Sequence, residues 1–487
     1  MKLWMKSLLM TGAIVLLTVA AAAAYLFTVS NSTVNALKST YTNVGNKNTT
    51  EVLKATKPLT IVLLGVDTGG AGRGTADSWN GNSDSQIVMT LNPKTNTTTM
   101  VSMERDTMTN IMDASGKIVS KQKMNAAYPM GFNAGDASGK GLETAVGYSM
   151  KTIGSQAGIP IDNFFTINFD GIINLVNAVG GIDVYNDPKN IVSYEKPAIH
   201  PGDIYISDTE PEYTAVVKPG NQHLNGEQAL VYSRDRHHRA DGDYGRQAAQ
   251  REVISQLMKK LLALDNVTQY QKLLNEAAKD FKTNIPITNS TLSYLLGYKD
   301  CFKKIVSIQS IGNGQMVNGG SYEFFSENTY LAFQNAMRLS LGESAETSLN
   351  PDLVTLESYF GSTSDYFLPS ATVTEKGKQT IYGVATDGQL VTLNAQNSGK
   401  YVSAVTGEGL TAAETSSNSS TSASSSSSGA AAQTNQSSTS ELPDGLTATT
   451  TQGVYTSRKG YTVYYKNGNY VYENGTLYPD GTKYPGQ

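Results

Sequence analysis

Thr60-Ile61-Val62-Leu63-Leu64-Gly65-Val66 is the stretch on which the fold turns. It is apolar without a break and lacks the alternation of a strand with one wet face. Such a run belongs to a strand buried on both sides of a sheet, so layers must cover both faces. Working outward, Asp67 ends the run, and Gly69–Asp84 is rich in Gly, Asn, Ser and Asp, the composition of a loop. Gln86–Leu91 and Thr97–Ser102 read as strands about the Asn92-Pro93-Lys94-Thr95-Asn96 turn. Gly139–Ala157 has helical spacing, and Ile161–Phe169 returns to strand. Asp170 is the expected cap of a helix over Gly171–Val179 that ends at Gly180-Gly181, before a strand over Ile182–Tyr185. Asn225 is placed to cap a short helix over Gly226–Val231, and Gly245–Leu264 carries the clearest apolar stripe of the chain. Smaller helices are expected over Leu273–Thr283 and Leu292–Gly297, with an edge strand over Ile305–Ile311. The reading is an α/β domain over residues 58–345, with a mostly parallel or mixed central sheet and helices on both faces.

The flanks differ in kind. Lys2 and Lys6 precede Ser7–Val29, a run of 23 residues without a charge. At about 1.5 Å per residue it matches a hydrocarbon core of about 30 Å. The expectation is a cytoplasmic tip and transmembrane anchor over residues 1–30, single-pass, with the rest outside the cell. A cleaved signal peptide is the alternative, with Leu8–Val19 as its core and Ala20–Ala24 as the cleavage region. Residues 31–57 read as a polar stem, and 346–410 as an extension with short β pieces. In Thr411–Ser440, 18 of 30 residues are Ser or Thr, which suits a flexible linker. Residues 441–487 hold eight of the 27 tyrosines between turn signals, as in a small β module. Exposed Tyr and Asn there suit carbohydrate contact, or serve solubility alone.

Composition removes some functions. The 487 residues carry a net charge of -4, which gives no support to nucleic-acid coating. A lone Cys301 excludes an internal disulfide and any multi-thiolate metal site, and reads as a small buried hydrophobe. Of 38 basic residues, 29 are Lys and nine are Arg, and five of those nine lie within 18 residues: Arg234, Arg236, Arg239, Arg246 and Arg251.

That cluster is the main chemical signal. The guanidinium fork matches phosphate oxygens, and several forks on one wall fit a diphosphate. Arg234 and Arg236, two apart on an extended segment, point the same way. Arg246 and Gln250, four apart, share a helix face. Asp243, just before that helix, either caps it or helps place a metal. Upstream lie Asp67 at the end of the first strand, Asp84 before the second, and Arg105-Asp106 after the third. Carboxylates beside phosphate imply Mg²⁺, a hard ion that takes oxygen ligands. A wet loop of surface ion pairs is the bland alternative. His237-His238 reads as solvated, and the glycines after Gly65 fit neither nucleotide-loop pattern.

The set resembles the LytR–CpsA–Psr family of Gram-positive envelopes over about residues 58–265. The matching pieces are Leu63-Leu64-Gly65-Val66-Asp67, Ser83-Asp84-Ser85, Val101-Ser102-Met103-Glu104-Arg105-Asp106, Lys123-Met124-Asn125-Ala126-Ala127-Tyr128 and Phe169-Asp170-Gly171. His223 through Leu230, Arg234 with Arg236, and Asp243 through Arg246 to Gln250 follow in order. The resemblance implies an enzyme that moves a glycopolymer, wall teichoic acid or capsule-type polysaccharide, from a polyprenyl diphosphate carrier to peptidoglycan through a phosphodiester, assisted by Mg²⁺. It implies Asp67 and Asp84 as metal ligands, and Arg105, Arg234, Arg236 and Arg246 on the diphosphate, with Gln250 helping and Lys123 at the edge. Asp243 would orient the arginines or act near the acceptor, and Ile167–Val179 would help line a prenyl tunnel. One position departs: Asn82 stands where the family commonly has Arg, which either weakens diphosphate binding or is made good by Arg73 of the same loop. Rival readings are a polyprenyl diphosphate phosphatase and a non-catalytic exported protein that binds anionic polymer or cell wall.

Overall fold

The computed structural model describes residues 41, 42, 44, 57–68, 79–188, 215–236, 239, 242–262, 280–285, 297–361, 367–403, 409 and 410, with strands at 446–448, 454–457, 462–466 and 469–472. Two compact units divide the chain, at residues 1–421 and 422–487.

The larger unit begins with β1 (Leu59–Val66), β2 (Ser83–Asn92) and β3 (Thr97–Ser102), then a hairpin of β4 (Met108–Met112) and β5 (Ile118–Lys123). Helices α1 (Ala127–Asp136) and α2 (Gly141–Ala157) lead to β6 (Asn163–Ile167) and α3 (Phe169–Ala178). A second hairpin, β7 (Ile182–Asn186) with β8 (Gly220–Leu224), precedes α4 (Gly226–Arg234) and α5 (Gly242–Leu262). Then come β9 (Phe281–Thr283), β10 (Lys304–Gln309), the hairpin β11 (Asn313–Val317) with β12 (Gly320–Phe324), α6 (Glu327–Leu341) and α7 (Leu356–Phe360). The unit closes with β13 (Ser370–Glu375), β14 (Lys378–Val384) and β15 (Leu390–Thr392).

Nine of these strands form one sheet in the order β15-β14-β13-β10-β3-β2-β1-β6-β9. Only β1–β6 and β10–β3 pair in parallel; the other six pairings are antiparallel. Of the two arrangements expected, mostly parallel or mixed, the sheet takes the mixed one. The cause is the short links: a tight turn such as that after Asn92 can join only antiparallel neighbours. β10 is also not an edge strand, because β13 pairs along its full length. The stretch 346–410, read as an extension, thus supplies three strands to the same sheet.

The apolar run in β1 has the expected cause. Val62, Leu64 and Val66 pack with Tyr128, Ala145, Val146, Ile153, Tyr330 and Phe333 from α1, α2 and α6. Ile61 and Leu63 face a second cluster with Ile87, Met89, Met100, Cys301 and Ile254 of α5. A third cluster binds α3, α4 and α5 to β7 and β8 through Val176, Ile182, Val184, Leu224, Val231 and Val253. Helices thus cover both sheet faces.

Local signals explain the helix ends. Asn168, not Asp170, caps α3: its side chain accepts from Gly171 N–H at 2.8 Å, and Asp170 lies in the first turn. Asn225 caps α4 as read, with Gln228 completing a capping box. Gly181 at φ 88° lies against His223 and Leu224, so a Cβ there would clash with both. Phe281–Thr283, expected to end a helix, is strand. The expected helix at 292–297 falls outside the described residues except for its last position.

The expectation of a transmembrane helix, and with it a single-pass membrane location, is corrected: among the described residues no helix is long and apolar enough to cross a membrane. Residues 7–29, on which that expectation was placed, lie outside the described residues, as do 411–440. In the smaller unit, β16 (Leu446–Ala448), β17 (Val454–Ser457), β18 (Thr462–Lys466) and β19 (Asn469–Tyr472) form an antiparallel four-stranded sheet.

Candidate active site

A cavity of about 410 Å³ opens where β1, β2, α3, α4 and α5 converge. One end is polar, with Asp84, Arg105, Arg234, Arg236, Arg246 and Gln250. Along α5 the wall passes from Arg246 and Gln250 to Val253, Ile254 and Leu257, about 16 Å further on, so the other end is apolar, with Leu63, Ile167 and Ile172 also in the lining. The β1–β2 ladder shifts register between Gly65 and Val66, which pair with Ser85 and Ser83. Asp84 is the extra residue of this bulge. Gly65 permits the close approach, since a Cβ there would lie 2.9 Å from the Ser85 Cβ. Asp67 follows directly, its N–H donating to the Asn82 carbonyl at 2.9 Å. The metal-ligand candidates Asp67 and Asp84 thus flank one strand end.

Arg105 sits among three carboxylates: Nη1 is 3.1 Å from Asp84 Oδ1, Nε 3.6 Å from Asp106 Oδ2, and Nη2 3.9 Å from Asp243 Oδ1. Burial opposes its charge, but Asp84, Asp243, Asp106 and Glu104 outweigh this and raise its pKa. Arg246 reaches the same Asp243 at 2.8 and 3.0 Å. Burial lowers its pKa, against the pull of Asp243 and with the push of Arg105. Asp243 therefore joins the two guanidinium groups.

Arg234 ends α4 rather than lying on an extended segment, and its guanidinium stacks 4.1 Å from the Phe169 ring centroid. Arg236 is exposed beyond it. Gln250 accepts from Ser85 Oγ at 2.9 Å and donates to the Ser233 carbonyl at 3.2 Å, so it also ties β2 to α4. Lys123 is not in the cavity wall: it pairs with Asp106 at 2.8 Å and lies 5.6 Å from the Tyr322 ring centroid. Asn82 is exposed, while Arg73, His237 and His238 lie outside the described residues.

The five-arginine cluster splits. Arg239 is buried, donates to the carbonyls of Asp235 and Tyr232 at 3.1 and 2.8 Å, and stacks on the Tyr232 ring. Arg251 is buried against β3 and β10. Both hold the fold, and neither lines the cavity.

Behind the arginines lie four residues to which the sequence assigned no role. Buried Glu104 accepts from Asp106 N–H at 3.2 Å and from the Gln247 amide, which also approaches Asp243 Oδ2 at 3.4 Å. Burial and the Asp243 charge push Glu104 well above the usual carboxylate range. Glu323 reaches in from β12 beside Tyr244, whose hydroxyl accepts from Gly312 N–H at 2.9 Å. Burial, with the charges of Asp106 and Asp243, raises Glu323 to about 7 from its ordinary 4.5. Between these pH values the folded chain binds more protons than the unfolded one, so Glu323 makes stability fall as pH rises from about 4.5 to 7. Urea unfolding at pH 5 and pH 8 should show a smaller loss for Glu323→Gln than for the wild type; equal losses would refute this assignment.

Among the described residues no group of three or more His, Cys, Asp or Glu is placed to hold a metal ion. Asp67 and Asp84 nonetheless fit Mg²⁺ by donor chemistry, because this ion is commonly held by one or two carboxylates plus substrate phosphate oxygens.

Fold and site together define an α/β protein whose cavity is cationic at one end and apolar at the other. The sequence model of the LytR_cpsA_psr family matches residues 25–339, and the chain belongs to this family. It is 38% identical to Biofilm regulatory protein A of Streptococcus mutans over 377 residues, 77% of this chain and 87% of that protein. It is 33% identical to the polyisoprenyl-teichoic acid–peptidoglycan teichoic acid transferase TagU of Enterococcus faecalis, over 63% of this chain and 85% of that one. The crystal structure of protein gbs0355 from Streptococcus agalactiae is similar at a TM-score of 0.55 and 38% identity, covering 65% of this chain and 97% of that one.

Proposed function

We propose that this protein transfers a glycopolymer from a polyprenyl diphosphate carrier to peptidoglycan, forming a phosphodiester. Its family links glycopolymers such as teichoic acid to the cell wall, and the relative TagU is named for that transfer. The observation that carries the finer reading is the two-ended cavity. Arginine forks suit the diphosphate, and Leu63, Ile167, Ile172, Val253 and Leu257 suit the first isoprene units.

In this mechanism a sugar hydroxyl of peptidoglycan attacks the glycopolymer-side phosphorus, and the lipid phosphate leaves. Arg105, Arg234, Arg236 and Arg246 hold the charge that moves onto the bridging and leaving oxygens. Asp243, with both oxygens turned to Arg246, orients the arginines, and the hydroxyl proton passes to one of the two carboxylates Asp67 and Asp243. Asp67 and Asp84 would hold Mg²⁺, which supplies further charge neutralisation at the diphosphate.

The test supplies the purified chain with a labelled polyprenyl diphosphate glycopolymer, with and without peptidoglycan. Label covalently joined to peptidoglycan is the expected product. Release of polymer phosphate alone, unaffected by the acceptor, would identify a phosphatase instead. Chelation by EDTA should lower the rate at least tenfold, with recovery on adding Mg²⁺, and Asp84→Asn should lose that recovery. Full activity in EDTA would remove the metal from the reading.

A further inference from the structure

The β11–β12 hairpin and α7 carry a surface that the diphosphate cavity does not use. Antiparallel pairing sets Asn313 opposite Phe324 and Gln315 opposite Tyr322, so these four side chains share one hairpin face. Helix α7 lays Tyr359 and Phe360 on Phe324. All three ring centroids lie 4.9 Å from one another. Phe324 is buried, but Tyr359 and Phe360 are 38% and 43% exposed. Their mount is firm. Thr355 and Ser358 form a capping box, Gly361 ends the helix at φ 72°, and buried Leu356 donates its N–H to the Phe325 carbonyl at 2.9 Å. Two large rings are thus held towards water by a helix stabilised at both ends.

The surface is continuous with the cationic mouth. Lys123 lies over the Tyr322 ring and pairs with Asp106, whose neighbour Arg105 lines the cavity. Glu323 N–H donates to the Asp106 carbonyl at 3.0 Å, and Thr107 bridges to Glu323. The strip therefore runs from Arg105 through Lys123 and Tyr322 to Tyr359 and Phe360. Beyond Arg105 and the Lys123–Asp106 ion pair its chemistry is neutral. The Gln315 amide bonds the Asn313 side chain, and Lys123 is already paired. Open ring faces stack against the C–H faces of pyranoses, and amides exchange hydrogen bonds with hydroxyl and acetamido groups. A polyanion would call for unpaired cations instead.

We propose that this strip binds the glycan strand of the acceptor, a polymer of N-acetylated pyranoses, and brings its hydroxyl to the cavity mouth. The role as acceptor site rests on the phosphotransfer reading above; the binding itself does not. A preformed mount suits this task because little ordering cost remains on binding.

Calorimetric titration of the full chain with an N-acetylglucosamine hexamer tests it. The Tyr359→Ala/Phe360→Ala double variant should bind at least tenfold more weakly, with Gln315→Ala as a second, milder variant. Release of lipid phosphate to water should stay within twofold, while the acceptor KM for transfer rises about tenfold. Equal binding by wild type and both variants overturns the proposal, as does a double variant whose only change is lost self-association, the mark of a second copy on this face. Hexamer binding that depends on the rings in a protein without diphosphate turnover supports the glycan surface and sinks the phosphotransfer reading instead.

Discussion

Arg105→Ala is expected to lower turnover of the diphosphate donor on the order of 10³-fold, the scale set by removing a positioned cation from phosphoryl transfer. The side chain touches the cavity and faces Asp84, Asp106 and Asp243 within 3.1 to 3.9 Å. Its loss has two parts. The phosphate loses a fork, and three carboxylates face one another without the cation between them. Arg105→Lys separates the parts, because lysine restores the charge as a point and not the fork. Recovery to within about tenfold would mean that charge balance matters most. A lysine variant as poor as alanine would mean that two-pronged contact does. Steady-state rates on the labelled donor, with unfolding curves as a control, decide. Turnover of Arg105→Ala within twofold of wild type would remove Arg105 from the site.

Much of this arrangement was legible in the sequence, for identifiable reasons. The continuous apolar run of β1 reports burial on both faces and so fixed the layering. Arg234, Arg236 and Arg246 stood out against an Arg-poor chain, and all three line one cavity. Composition left the sheet between mostly parallel and mixed, although the Asn92–Asn96 turn is too short for a parallel return and so points to the mixed form. β10 reads as an edge from sequence because its partner β13 lies beyond residue 345, where the apolar pattern of the domain fades. Glu323 could not be found from local pattern. It joins Asp243 and Glu104 only because the β11–β12 hairpin folds back on the start of α5, a contact far apart in sequence. Gln247 likewise reads as an ordinary helical residue until Glu104 is placed beside it.

The same helix shows why five neighbouring arginines do two jobs, and this carries the largest expected effect on stability. Five residues of helix turn Arg251 about 140° from Arg246, away from the cavity and onto the sheet. There Nε donates to Ser307 Oγ at 2.7 Å, Nη1 to Ser102 Oγ at 2.5 Å and Nη2 to Gln309 Oε1 at 2.5 Å. The residue is only 3% exposed, so water cannot replace it. Arg251→Ala deprives three polar groups of their charged donor and opens a void. The expected cost is about 4 kcal/mol, from hydrogen bonds to a charged group at about 1.5 to 3 kcal/mol each, less relaxation of the rotatable hydroxyls. Arg236→Ala should change stability by less than about 0.5 kcal/mol, because that side chain is exposed, while lowering turnover. Urea unfolding and donor turnover measured on both variants give a crossed result: one loses stability first, the other activity first. If Arg251→Ala unfolds within about 1 kcal/mol of wild type, the guanidinium is not the tie between α5, β3 and β10, and Arg251 returns to consideration for the anion site.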